Sequence, residues 1–384
     1  MSLFLSAVLV ATALRGTLDL SARAQVASRA GGALAGPTLD AATSPEVKLD
    51  VRSRRWELTA DYTPRFTGSV AGSDPQSYVL QQGRLGARFQ DKRGSLSLYQ
   101  DTGHGRLSML TLGAAQAATP GTTPLGALPT TEVIDYAWSR TGIVARLIAS
   151  RRWDLRFTGE LALSGGAGSL ARASLPFQTA LRAGIGAGYA ASRRDHLSTT
   201  LDASRAVFST GLEDMLVETK VSWRHDLDRG LSTTLAGGLG WSTSRPDAAP
   251  AARSAVAPVV EAGLSYRPRA STIEVGLTVK LAPVIDAFSG RIDPRVDGTA
   301  AVTWAPARDL AVQGQLGVGR SIPWGEGVPL SLGFGAVTAS YSVNDVVQID
   351  GGGRSAWSKA PGIDAPAQWM VFAGATFRIP TFRF

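Results

Sequence analysis

From residue 46 to the C-terminus, apolar and polar residues alternate for ten to thirteen positions at a time, then break and begin again. A period of two marks a strand with one dry face and one wet face. In 56–66, Trp56, Leu58, Ala60, Tyr62 and Phe66 share one face, against Glu57, Thr59, Asp61, Thr63 and Arg65. In 153–163, Trp153, Leu155, Phe157, Leu161 and Leu163 oppose Asp154, Arg156, Thr158 and Glu160, and 273–281 repeats the arrangement. Strands of soluble sandwiches alternate for about five or six residues, whereas a strand that crosses a bilayer needs about nine to eleven. Run length therefore directs this chain to a membrane. There only a closed sheet leaves no backbone N–H or C=O unpaired.

The breaks are of two kinds that take turns along the chain. One is tight and charged: Ser53-Arg54-Arg55, Asp91-Lys92-Arg93-Gly94, Ser150-Arg151-Arg152, Ser192-Arg193-Arg194-Asp195, and onward to Ser342-Val343-Asn344-Asp345. The other is longer and irregular, the longest being 107–133, with 211–213 a short exception. Short turns on one side and long loops on the other are the hairpin asymmetry of outer-membrane barrels, the short turns being periplasmic. Counting from Trp56 gives sixteen spans, an even number that leaves both ends in the periplasm. The stretch 46–52 is a short extra strand; if it spans fully with a partner in 25–45 or 107–133, the count becomes eighteen. The expected fold is an all-β, antiparallel up-and-down transmembrane barrel.

Aromatic residues stand beside the tight turns on the apolar face: Trp56, Trp153, Trp223, Tyr266, Trp304 and Tyr341. Amphipathic rings at one level form a membrane-interface girdle. The opposite face carries both signs of charge, and its lumen candidates are Glu57, Asp61, Arg84, Arg88, Arg146, Arg156, Glu160, Arg182, Glu218, Lys220, Glu261, Glu274, Lys280, Arg295 and Asp297. Mixed charge suits a hydrophilic pore without strong ion selectivity, and some of these pairs brace the wall across strands. A barrel of sixteen to eighteen strands is too wide for side chains to fill. The 107–133 loop is either an inward constriction or a solvated outer loop.

At the N-terminus, Leu3–Ala13 has the length of a signal-peptide h-region, and Ala22-Arg23-Ala24 is an A-x-A cleavage site before Gln25. Residues 1–24 thus read as a signal peptide, 25–45 as an unstructured periplasmic lead-in and 46–384 as the barrel. No Lys or Arg precedes the h-region, so either Met1 supplies the only charge there or the start lies upstream; a short buried helix is the alternative. The C-terminal Phe377-Arg378-Ile379-Pro380-Thr381-Phe382-Arg383-Phe384 resembles the terminal signal read by the barrel-assembly machinery, with Pro380 expected to stop the strand early.

The chain has no cysteine, which excludes thiolate metal sites, disulfides and a lipidated N-terminal Cys. Its net charge of +8 does not mark a nucleic-acid binder, because the arginines are dispersed among short turns and do not gather on one face. His104, His196 and His225 share no metal-ligand spacing. His104 near Asp101 is the one constellation with a catalytic look, and no motif places a serine beside it. Gly184-Ile185-Gly186-Ala187-Gly188 has period two and lies within a strand, so it is wall and not a nucleotide loop. No catalytic, cofactor or metal residue is assigned.

The Arg-rich turns, Tyr62-Thr63-Pro64-Arg65-Phe66 and Val133-Ile134-Asp135-Tyr136 resemble barrels of myxobacteria and their relatives, over most of 46–384. Some of those are similar to the integral barrel of split polysaccharide export systems. The resemblance implies a conduit for a secreted polysaccharide, with a separate periplasmic export protein docking beneath. The other readings are a general diffusion porin, which works alone, and a barrel enzyme or adhesin.

Overall fold

The computed structural model describes residues 15–30, 38–71, 77–108, 133–228, 230–245, 253–268, 272–285, 292–323, 329–360, 363–364 and 367–383. It is one antiparallel sheet closed on itself. The strands are β1 (Arg15–Ala30), β2 (Thr38–Arg52), β3 (Trp56–Tyr62), β4 (Arg65–Ala71), β5 (Ser77–Asp91), β6 (Gly94–Ser108), β7 (Val133–Ile148), β8 (Trp153–Gly166), β9 (Gln178–Ala190) and β10 (Asp195–Phe208). Then come β11 (Glu213–Asp226), β12 (Leu231–Arg245), β13 (Arg253–Tyr266), β14 (Ile273–Ile285), β15 (Ile292–Trp304), β16 (Leu310–Ser321), β17 (Ser331–Ser342), β18 (Val347–Ala360), β19 (Ile363–Asp364) and β20 (Gln368–Arg383). A short helix, α1 (Ser169–Ser174), interrupts the β8–β9 loop.

β3 and β4 are halves of one span, broken at Thr63-Pro64 where proline has no N–H to give the ladder. β19 is a two-residue stub. The wall therefore has eighteen spans, the larger of the two expected counts. Closure is made by β1, which pairs with β2 from Arg15↔Arg52 to Arg29↔Thr38 and with β20 from Thr17↔Arg383 to Ala30↔Trp369. The start of β1 and the end of β20 lie on the side of the tight turns, as an even count requires.

β1 and β2 revise the expected boundaries. The wall begins at Arg15, so 25–45 is not an unstructured lead-in, and 46–52 is the lower half of a full span whose partner is 15–30. The cleavage position after Ala24 falls inside β1; the h-region Leu3–Ala13 lies outside the described residues, as does most of 107–133. The C-terminal strand does not stop at residue 380. A register slip between Leu18 and Leu20 absorbs residues 380–381 as a bulge, and β20 continues to Arg383.

Exposure alternates along the spans as the sequence pattern demands. Leu85, Leu98, Phe157, Leu181, Leu201, Val221, Leu239, Leu277, Val318 and Val337 are large apolar side chains left open on the outer face. In water such a surface would be untenable; against lipid it is the stabilising one. The expected girdle residues stand on this face by the tight turns, and Trp56 and Trp153 stack on neighbouring rings at 4.8 Å (Phe89) and 4.7 Å (Tyr189).

Because β1 makes both closing ladders, deleting residues 15–24 is expected to abolish the barrel. On SDS gels the intact chain should migrate differently when boiled and unboiled, and the deletion variant should not. A variant beginning at Gln25 that keeps the two-band behaviour would contradict this closure.

Candidate functional site

The face opposite the exposed apolar residues is the inner wall. The charged residues singled out from the sequence face one another in the ladders, as Glu57↔Arg88, Asp61↔Arg84, Glu160↔Arg182 and Lys280↔Asp297 do, and most are drawn into pairs. Arg84 lies 3.4 Å from Asp101, Arg146 3.0 Å from Asp154, Lys220 3.0 Å from Glu261, and Arg295 2.8 Å from Asp297. Glu57 is taken by Arg52 at 2.9 Å, Glu274 by Arg267 at 2.8 Å, and Asp61 accepts a hydrogen bond from the Thr63 hydroxyl at 2.9 Å. Lys280 reaches Glu218 at 3.9 Å across two intervening strands. Arg88 and Arg156 have no carboxylate within ion-pair distance among the described residues, and Arg156 stands directly opposite Arg146 in the register.

Glu160 is the centre of the largest of these networks. It accepts a 2.6 Å hydrogen bond from the Tyr99 hydroxyl and faces Arg140 at 3.6 Å and Arg182 at 3.8 Å, joining β6, β7, β8 and β9. Tyr99 can lie flat across β7 because residue 142 is glycine, whose absent Cβ would sit 2.2 Å from the ring. Gly184 and Gly188 serve the same end: a Cβ would strike Asp202 Oδ1 at 2.3 Å in the first and Asp154 Oδ1 at 2.4 Å in the second. These are sites where a neighbour's side chain lies over bare backbone, which period two in the sequence suggests but does not specify.

The outer half of the inner wall differs from the hydrophilic lumen that the sequence implies. There the β13–β14 ladder stops at Val260↔Leu281, while β14 and β15 stay paired up to Ile285↔Ile292. The freed hairpin leans inward as a tongue. Ala282, Pro283 and Val284 are buried in succession, and Pro283 lies on the inner face of β12 where a Cβ on Gly240 would be 2.5 Å away. Ile285 packs against Ala180, Ala206 and Phe208 on the inner faces of β9 and β10. A second inward element is the β8–β9 loop, whose Leu175 joins Leu80, Ile134 and Tyr136 in an apolar cluster. Sequence reasoning placed 284–293 outside as a loop. The available signal was the unbroken apolar run Leu281-Ala282-Pro283-Val284-Ile285, which marks burial on both faces.

The other candidates separate. Asp101 points inward, bonded to Arg84 and Trp138, whereas His104 is exposed on the outer face, so the two form no catalytic constellation. His225 meets Asp195 at 2.7 Å at a periplasmic turn. Asp195 also accepts from the Ser192 hydroxyl (2.6 Å) and Trp223 Nε1 (3.1 Å), and these bonds, Ser192 first, hold its carboxyl down at about 2. Among the described residues no group of three His, Asp or Glu side chains could hold a metal ion.

An eighteen-span closed sheet with an apolar outer belt, aromatic girdle and charged inner wall is a transmembrane β-barrel of the Gram-negative outer membrane. The chain belongs to the EpsX exopolysaccharide export family, whose model it matches over residues 5–379. No curated protein sequence matches it. Among solved structures it is similar to OccK7 (OpdD) of Pseudomonas aeruginosa, at 11% identity, covering 95% of this chain and 98% of that one with a TM-score of 0.50. It is also similar to the FrpB iron transporter of Neisseria meningitidis, at 7% identity over 89% of this chain and 63% of that one, TM-score 0.50. At such identities the likeness is one of fold.

Removing the hub of the inner network should be costly. Glu160→Ala leaves Arg140 and Arg182 facing each other and is expected to lower the unfolding free energy by about 1–3 kcal/mol. Urea titration in lipid vesicles would measure it, with Glu160→Gln expected to lose less because it still accepts from Tyr99. Replacing the tongue, residues 282–295, with a short Gly-Ser link should raise single-channel conductance in planar bilayers. Unchanged conductance would mean that the tongue does not narrow the passage.

Proposed function

We propose that this barrel is the outer-membrane conduit through which an exopolysaccharide leaves the cell, working with a periplasmic export protein below it. The family match carries the reading. The geometry supports it in two ways. The periplasmic half of the inner wall is lined by charges, most of them paired, and by Ser, Thr and Gly, a surface that a hydrated sugar chain can slide along without strong binding. The outer half is occupied by the tongue and the β8–β9 loop, packed through apolar clusters. A passage obstructed in this way suits a channel that opens for a particular cargo, and it favours export over the diffusion porin. Residues Glu57 to Asp297 of the inner wall are then the conduit lining, with a leader ahead of β1 and the barrel-assembly machinery delivering the chain to its membrane.

Deleting the gene should abolish one surface polysaccharide, measured by dye binding and carbohydrate analysis of the medium, while uptake of small hydrophilic solutes stays normal. The reverse outcome would return the porin reading. Purified protein alone should show only small or rare conductance; a steady large conductance would count against dependence on a partner.

A further inference from the structure

The periplasmic rim is electrically lopsided. Three of its turns are built alike. Ser53 Oγ accepts from the backbone N–H of Arg55 and Trp56, Ser150 Oγ from those of Arg152 and Trp153, and Ser192 Oγ from those of Arg194 and Asp195, all between 3.0 and 3.4 Å. Each serine thus folds the same tight corner and holds two consecutive arginines at its tip. The β5–β6 turn adds Lys92 and Arg93. These four turns are consecutive around the rim, because β2 through β10 are neighbours in the sheet. All eight cationic side chains are exposed, and none has an ion-pair partner among the described residues.

Only Asp91 and Asp195 accompany them, and Asp195 is committed to Ser192, Trp223 and His225. The turns that follow β11, β13, β15 and β17 are different. By sequence they hold four Arg against three Asp, with Asp226 at the end of β11 making a fourth. Beside them two pairs form locally, Arg267 with Glu274 and Arg224 with Asp226 at 3.2 Å, while Arg308 stands exposed next to Asp309. Anionic lipid headgroups surround a barrel on every side, so attraction to lipid alone would call for a basic ring. A one-sided arc of unpaired, identically presented guanidinium pairs fits a protein that approaches off-centre.

We propose that the turns after β2, β5, β7 and β9 form a basic docking arc for an acidic surface on a periplasmic protein. The proposal rests on the export reading for that partner's role, and it fixes where and by what chemistry the partner attaches. Guanidinium pairs on rigid turns suit bidentate contacts with carboxylates. Being solvent-exposed, the contact should be salt-sensitive and should govern the rate of association.

The test uses the full-length barrel in detergent and, as probe, the purified periplasmic polysaccharide-export protein of the same cell, with binding followed at low and high salt. The variant carries Gln at Arg54, Arg55, Arg151, Arg152, Arg193 and Arg194; Arg308→Gln on the balanced side is the control. Both should retain heat-modifiable migration, which certifies the fold. The expected result is binding by the intact barrel and the control, weakened about ten-fold or more in the arc variant and in high salt. Equal binding by the arc variant would overturn the arc and leave the export reading untouched. A second arm reconstitutes the proteins into phosphatidylethanolamine vesicles with and without phosphatidylglycerol. If the arc variant loses only a phosphatidylglycerol-dependent gain in insertion, the arc serves lipid and the proposal is overturned. Absence of binding even by the intact barrel overturns it too, and polysaccharide secretion by the deletion strain then decides separately whether the export reading stands.

Discussion

In hydrocarbon an unpaired backbone amide has no water to turn to, and each one costs several kcal/mol. Here that constraint is discharged at one place, the ladders of β1 with β2 and β20. Without them β2 and β20 would be two open edges of a long sheet, each presenting a row of donors and acceptors to lipid. The other ladders are local hairpins between strands adjacent in sequence. The closing ladder alone joins residues separated by nearly the whole chain, so the two ends must both be present before any part of the wall is stable in the membrane.

Once the sheet is closed, the inner wall is governed by a different balance. Ion pairs bridge non-adjacent strands, as Lys220 to Glu261 and Lys280 to Glu218 do over β12. Individually such pairs contribute little when exposed, but they leave few bare charges to seize a passing polar chain. The outer half trades polarity for packing, with Ile285 and Leu175 brought inward on elements that the wall itself does not need for closure. Closure and inward apolar packing are thereby assigned to separate parts of the molecule: ladders hold the cylinder, and a hairpin and a loop lean into it.

How much of this was legible depended on what each face carries. Spans such as 153–163 were plain because large apolar residues alternate with charges, and the same alternation assigned the inner-wall residues to a face. β1 was not, because its outward positions in the middle are Ala22 and Ala24, small residues that resemble a cleavage site as readily as a wall. The tongue was hidden for the opposite reason: apolar residues in succession erase the period, and a segment buried on both faces reads as a loop boundary. The His104–Asp101 pairing failed on parity, since three residues apart in a strand places side chains on opposite faces. Which arginine meets which carboxylate depends on register and shear, and composition holds no record of either.

The inner face of β12 carries Ala236, Gly238 and Gly240, and across these positions lie the Lys220–Glu261 bridge, the reach of Lys280 and the ring of Pro283. That strand is in effect a mould taken from β11, β13 and β14. The residues involved are therefore bound to drift together: a side chain gained on β12 becomes tolerable only after something opposite has been lost. Among members of the family, these positions should change as a block or stay as they are, whereas the outward leucines of the same strands exchange freely for any residue that lipid accepts.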